Sequence, residues 1–485
     1  MSTKDVKGTR DVENIKSDVV IVGGGCGLAA AVAAAEKGAS VVLLEKRRKA
    51  GGNTAMAGGF LAAESPMQKR MKIEASREEI FKASMDFAHW NINPKIIRAM
   101  IDKSGDTVRW LENMGLNFKD VSHFFHNQLP RIYHVPEGNG AALVKILLKR
   151  CKDLGVSIFC QTPAKKILLG KSGEVTGVLA EEKEKRLRIK TKTAVIVTGG
   201  FSGNKKMLRK YCPLYTNNIS LNGVPLMGDG LNMAIEAGAA VEGLGTLLAM
   251  GPFFEGSKYV HCTAIESYSV WLNSNGERFI NEDSTIPSET ANALNRQPGR
   301  VCYALYDEET KRIFMEEGLY KGVIRPYIPL TKMTELDDYL KKDRDEGKVR
   351  ISRSWKEIAD WMGADPKILR RNINEYNAYC DQGYDELFFK KRSCLKPLRN
   401  PPFYALRCGQ AFHGTIGGIK ISQLMEVLDK KDIPIKGLYA AGNDTGGWIA
   451  DTYNYVLSGT ALAFAINSSR IAGENAASYI SNKTQ

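Results

Sequence analysis

The most constraining stretch of this 485-residue chain lies near its start, where "DVVIVGGGCGLAAAVAAAEKGASVVLLEK" runs from Asp18 to Lys46. Asp18 to Val22 is an unbroken, mostly β-branched run, the composition of a parallel strand buried on both faces. Gly23 to Gly27 follows at once, then an alanine-rich segment that favours helix and is closed by Gly38. Ser40 to Lys46 is a second strand ending in an acid. Together they read as a βαβ unit. Gly23, Gly24 and Gly25 let backbone N–H groups approach a pyrophosphate at the helix N-terminus, and Glu45 is placed to accept hydrogen bonds from ribose hydroxyls. The complete unit is far more specific than a glycine triplet alone. In a strict G-x-G-x-x-G starting at Gly23 the third glycine would fall on Leu28; Gly27 stands one place earlier, so the loop is one residue short.

"KAGGNTAMAGGF" (Lys49 to Phe60) comes directly after the acid. Its two Gly-Gly pairs, Gly51-Gly52 and Gly58-Gly59, flank Asn53-Thr54 and allow backbone to approach a second half of the same ligand. "AVIVTGGFSGN" (Ala194 to Asn204) is another buried strand entering a glycine turn at Thr198, Gly199 and Gly200.

The length, with 43% apolar and 25% charged residues, allows two or three cores. The net charge of +14 is spread through mixed-sign runs such as Glu181 to Ala194, which read as solvated faces and argue against nucleic-acid binding, although the excess can draw in anionic ligands. Nine scattered cysteines without a C-x-x-C pair argue against disulfides, zinc or an iron–sulfur cluster and point to a reducing, cytoplasmic setting. The polar N-terminus lacks a signal-like apolar core, and the apolar stretch 19–35 is interrupted by glycines and stops at Glu36-Lys37, so no integral membrane segment is expected.

Glu45-Lys46, Gly51-Gly52-Asn53-Thr54 and Gly58-Gly59 resemble the FAD-binding signature of the flavoprotein family that contains fumarate reductases, succinate dehydrogenase flavoprotein subunits and 3-ketosteroid dehydrogenases. The resemblance covers nearly the whole chain. It implies an α/β fold: a Rossmann-like, glutathione-reductase-like FAD-binding domain in two parts, 1–246 and 405–485, with an inserted α+β capping domain at 247–404. It implies that Ala164 in "TPAKKIL" reads the adenine. Asp229 in "MGDGLNMAIEAGA" lies near the cofactor, and Asn443 stands on the ribityl side where many relatives have glutamate. Ala461 and Leu462 complete the set. No histidine lies in the glycine segment, so the FAD is expected to be noncovalent.

"VWLNSNGERFINED" (Val270 to Asp283) reads as two strands around an Asn-Gly turn and contains the family's N-x-x-G-x-R-F-x-N-E, here Asn273 to Glu282. Helix-patterned segments follow, one opening with Ser354 and, three residues on, Glu357 in the manner of a capping box. Such a cap would close over the flavin and exclude water.

Fumarate-type members grip a dicarboxylate with arginines. The position of their proton-donating arginine is Ile286 here, and that of a carboxylate clamp is Val456, so fumarate is not the expected substrate. One substrate-side histidine is matched by His413, with Gly414 in place of its usual neighbour. In "TGGWIADTYNYVLSGTALAFA" (Thr445 to Ala465), Tyr455 and Gly459 fit the Y-x-x-x-G-T-x-L pattern with which 1,2-desaturating 3-ketosteroid dehydrogenases hold a ketone. A phenol O–H and a helix N-terminal N–H aimed at one oxygen also form an oxyanion hole. Tyr453 and Tyr268 are candidates for proton transfer.

The expected activity is FAD-dependent oxidoreduction at a C–C/C=C bond conjugated to a ketone, on a hydrophobic enone, with a separate electron donor or acceptor. One alternative is an enoate reductase (fumarate-, urocanate- or cinnamate-type) gripping its carboxylate through Arg131, Arg296 or Arg300. The other is an electron-relay flavoprotein subunit.

Overall fold

A computed structural model of the protein describes residues 12–122, 130–182, 185–284, 286–322 and 329–481. The N-terminal stretch through residue 11, positions 183–184 of the mixed-sign run and Thr285 lie outside the described residues. Among those described, no helix is long and apolar enough to cross a membrane.

The strand Val19–Val22 is buried at all four positions, as a β-branched run between two covered faces must be. It lies inside a six-stranded sheet, paired in parallel with Val41–Leu44 on one side and Thr193–Ile196 on the other. Pro434–Ala440 and Ser157–Phe159 extend the parallel set, and Glu426–Leu428 closes one edge antiparallel. The helix Gly27–Glu36 packs on this sheet and against the helix Thr460–Ser481. The two helices cross closely: a Cβ on Gly473 would stand 2.2 Å from the Ala30 carbonyl oxygen, so only glycine fits. A second sheet, in the order Val12–Lys16, Lys185–Lys190, Val175–Glu182, Ala164–Leu169, carries Ala164 to the rim of the first.

Two long strands, Val241–Phe254 and Phe403–Ile419, pair antiparallel from Val241↔Ile419 to Phe254↔Cys408 and lead from the first sheet's half of the molecule into the residues expected to form the cap, or lid. There Cys302–Asp307, Val270–Asn273 and Val349–Ser352 complete the sheet. The lid has its own apolar cores, one around Trp271, Tyr306 and Phe314 and another around Trp355, Tyr376 and Phe403.

Two local expectations differ from the structure. The second strand of the Asn-Gly hairpin reduces to one bridge, Leu272↔Arg278, because the chain turns to bring Arg278 onto Glu282 and Asp385. Arg278 Nη2 meets Glu282 Oε2 at 3.0 Å and Asp385 Oδ2 at 2.9 Å, and Lys390 Nζ lies 3.3 Å from Glu282 Oε2, with all four side chains buried. The Ser354 hydroxyl makes no cap bond. Glu357 Oε2 accepts instead from the Ser352 hydroxyl at 2.9 Å, and the Ser354 amide donates to Ser352 Oγ.

Candidate active site

A cavity of about 910 Å³ lies between the glycine turns and the lid, toward the large end of the roughly 300–1,000 Å³ range of ligand sites. The residues expected to contact FAD line it, except Gly27 and Gly51. Gly27 is the first residue of its helix, and a Cβ there would come 3.0 Å from Ile21 Cγ2. Its place is the close packing of helix on strand, the third glycine's role in such units.

The glycine turn is tied down from below. Glu45 Oε2 accepts the Gly24 N–H at 2.8 Å and Oε1 accepts the Arg47 N–H at 2.7 Å, which leaves lone pairs on both oxygens for a ribose. No side chain caps the Gly27–Glu36 helix, so its positive end stays available to a pyrophosphate. Lys46 pairs with Asp229 at 2.6 Å on the exposed rim.

A second turn is held by a residue that sequence reasoning missed. Asp444, fully buried, accepts the amides of Thr198, of Gly199 at 2.9 Å and of Gly200 at 2.8 Å, and the Thr198 hydroxyl at 3.0 Å. Burial pushes its carboxyl up against the amides that pull it down. Asn53 joins distant segments: its Oδ1 accepts the Val224 N–H at 2.7 Å and its Nδ2 donates to the His413 carbonyl at 3.3 Å.

Toward the lid the lining turns apolar, with Leu248, Met250, Phe253 and Phe254 from the long strand and Trp271 opposite. Tyr453, Tyr455, Gly459 and His413 all line this part. Tyr453 and Tyr455 meet edge to face, 4.7 Å between centroids at 83°, and the Tyr453 hydroxyl oxygen accepts the Ala461 N–H at 3.0 Å from the first turn of the C-terminal helix. Burial pushes Tyr453 up to about 12 and Tyr455 well above the usual phenol range. Gly459 has φ +86°, and a Cβ there would lie 2.8 Å from Leu61 N, Phe60 Cα and the Tyr133 ring.

His413 Nδ1 donates to the Asn222 carbonyl at 2.8 Å, and burial lowers its pKa, so Nε2 is an acceptor. His261, on the short helix Lys258–Ala264, also lines the cavity and went unnoticed in the sequence. Its Nδ1 accepts the Phe254 N–H at 3.2 Å, and burial, helped by Lys258, lowers its pKa to about 4. The ring is therefore neutral with its proton on Nε2, a buried atom with no hydrogen-bond partner among the described residues. No spacing signal pointed to a lone histidine here.

Tyr268 is not part of the lining. It stacks on Phe314 at 6.1 Å and leans on Tyr320 at 5.4 Å, within the lid's core. Ile286 and Val456 pack against the nucleotide-binding core. Arg131, Arg296 and Arg300 lie off the lining as well; Arg296 is exposed, and Arg300 Nη1 donates to the Leu214 carbonyl at 2.5 Å. Among the described residues, Lys258 and Lys321 bring cations to the lid end, and the arginine in the lining, Arg47, belongs to the glycine end.

The residues present fit FAD. Glycine amides at an uncapped helix, an acid at the next strand's end and a cavity of dinucleotide scale lie on one surface. Residues 18–460 match the family profile described as FAD binding domain. A vinyl phenol reductase of Lactiplantibacillus plantarum is 31% identical over 440 residues, covering 87% of this chain and 88% of the relative. The open conformation of a flavocytochrome c3 fumarate reductase aligns with a TM-score of 0.75 at 27% identity, over 96% of this chain and 78% of that one. A 3-ketosteroid delta1-dehydrogenase from Sterolibacterium denitrificans aligns at 0.80 over 96% and 99%, but at 20% identity that likeness is one of fold.

Proposed function

Because this chain belongs to the FAD binding domain family and is an FAD-dependent oxidoreductase acting on CH–CH groups, we propose that it reduces, or in the reverse direction forms, a C=C bond conjugated to an uncharged oxygen. The observation that carries this reading is the donor set at the lid end. The hydroxyl of Tyr455 and the Nε2–H of His261 are neutral and buried, and no arginine accompanies them among the described lining residues there. A carboxylate drawn out of water needs charge-assisted hydrogen bonds worth several kcal/mol, order of magnitude, which a bidentate guanidinium supplies best, whereas a ketone oxygen needs only neutral donors.

Bound FAD supplies hydride chemistry at the reacting carbon. The rest falls to the protein. Tyr455, braced edge-on by Tyr453, and the Gly459 amide hydrogen-bond the oxygen on which enolate charge develops. The lid, residues 247–404, excludes water with Met250, Phe253 and Trp271. Vinyl phenol, in the name of the relative above, is an alkene whose oxygen is likewise uncharged. A separate protein or small carrier exchanges the electrons.

Lys258 and Lys321 support a second reading, an enoate reductase whose carboxylate is held by ammonium groups. Holoenzyme reduced without oxygen and mixed with cyclic enones, a vinyl phenol, fumarate and a cinnamate separates the two. Flavin absorbance returning with enone or vinyl phenol is the expected result; return with carboxylates alone overturns the neutral-oxygen reading. Tyr455→Phe should keep its FAD and slow reoxidation by about 10²–10³.

A further inference from the structure

Reducing a double bond takes a proton as well as a hydride, and the residues first considered for supplying it are poorly placed. Tyr268 is off the cavity, and burial raises the Tyr453 and Tyr455 phenols, which makes them weaker proton donors near pH 7. His261 is already neutral and holds its remaining proton on a nitrogen that does not release it near pH 7. We propose that the Lys321 ammonium is the proton donor to the second carbon of the double bond. The inference rests on the C=C reading above.

Lys321 lines the lid end of the cavity together with Trp271, Ser284 and His261. Its Nζ donates to the Glu282 carbonyl at 2.7 Å and to the Ser284 carbonyl at 3.2 Å, and it stands 6.0 Å from the centre of the Trp271 ring. An ammonium has three N–H bonds; two are spent on these carbonyls, and one is left for whatever occupies the cavity. The two carbonyls belong to the segment that leads to Ile286, the position at which fumarate-type members were read to carry their proton-donating arginine. The lysine thus brings a cation from another element to this segment. The Lys321 backbone is pinned independently: the buried Glu266 carboxylate accepts the amides of Tyr320 at 3.1 Å, Lys321 at 2.9 Å and Gly322 at 2.9 Å.

Burial lowers Lys321 to about 8, opposed by the charges of Glu266 and Asp283 and assisted by Lys390. The Cys394 thiol also acts on it, and Lys258 and His261 share the same cavity. Such an ammonium is charged at neutral pH yet releases its proton far more readily than a guanidinium. In the step, one alkene carbon takes the hydride with its two electrons. The displaced π pair forms the second C–H bond with the Nζ proton, and the N–H pair stays on nitrogen. The resulting amine is reprotonated from solvent between turnovers.

The test uses holoenzyme, stopped-flow flavin reoxidation by an acceptor that works for the parent, and the saturated product as a non-reacting ligand. The parent rate should fall on an alkaline limb near pH 8. Lys321→Met should lose about 10²–10⁴ in rate, lose the limb, bind the saturated product within about threefold of the parent and regain rate with added primary amines. Lys321→Arg, which can keep both carbonyl contacts, should move the limb upward and covers the case in which the methionine variant does not fold. A methionine variant as fast as the parent, an unmoved limb in the arginine variant, or a loss confined to product affinity overturns the assignment. If no ene acceptor reoxidises the parent, it is the C=C reading that fails.

Discussion

His261 and His413 line the same cavity with opposite tautomers. His261 Nδ1 accepts the Phe254 amide and its proton sits on Nε2, while His413 Nδ1 donates to the Asn222 carbonyl and leaves Nε2 as an acceptor. Backbone groups set both choices, and burial lowers the pKa of both rings. Both rings are therefore neutral, one protonated on Nε2 and the other on Nδ1, and no change of pH around 7 converts them into cations.

The same burial makes the fold sensitive to acid. His134 and His261 are lowered from 6.5 to about 4 in the folded protein, while in the unfolded chain they take protons at ordinary values. Folded pKa below unfolded means stability is intact above about pH 6.5 and falls as pH drops toward 4, by at most on the order of 3 kcal/mol for each ring. Urea midpoints should decline between pH 6.5 and 5.5, above the carboxylate range. His134→Gln should show a shallower decline, and a slope equal to the parent's would contradict the linkage.

Asp444 should govern FAD retention without touching substrate. Removing its carboxylate strands the amides of Thr198, Gly199 and Gly200, which then lose the geometry they present to the cavity. For Asp444→Ala the FAD dissociation constant should rise about 10- to 100-fold, the equivalent of roughly 1.5–3 kcal/mol for hydrogen bonds to a charged group. Recovery of flavin fluorescence on dilution measures it, and parental affinity would mean that the turn is held by other contacts.

Arg278 should matter to the lid alone. Burial would raise Glu282, but Lys390 and Arg278 hold it lowered, and Asp385 depends on the same guanidinium. Arg278→Met leaves two buried carboxylates with one lysine between them, a loss of about 3–5 kcal/mol. The lid cores are separate from the nucleotide-binding core. Limited proteolysis should therefore cut within 247–404 while FAD stays bound; an uncut lid would show that the network is dispensable.

What could be read in the sequence was what is local. Val19–Val22, the glycine turn and Glu45 sit within one βαβ unit, so strand composition, turn chemistry and the terminal acid reported the nucleotide half directly. The hairpin after Asn273 was misjudged because its register is set by Asp385, far along the chain, rather than by its own turn. Asp444, His261 and Lys321 stayed hidden for a related reason. Each works through a backbone atom or cavity wall contributed by another element, and no pattern of neighbouring residues carries that information.

His261 provides a last, separable expectation. Its Nε2–H has no partner among the described residues, so a substrate oxygen that accepts it gains a hydrogen bond to a neutral group, about 0.5–1.5 kcal/mol. His261→Phe removes that donor and also deprives the Phe254 amide of its acceptor. KM should rise about 3- to 10-fold with kcat changed by less than about threefold. His261→Gln, which offers one acceptor and one donor, should recover most of the loss. The ring is neutral from about pH 6 upward, so the KM effect should be flat from pH 6 to 9. A loss in kcat instead, or a KM effect that follows the alkaline limb, would place His261 in the proton transfer and separate it from substrate recognition.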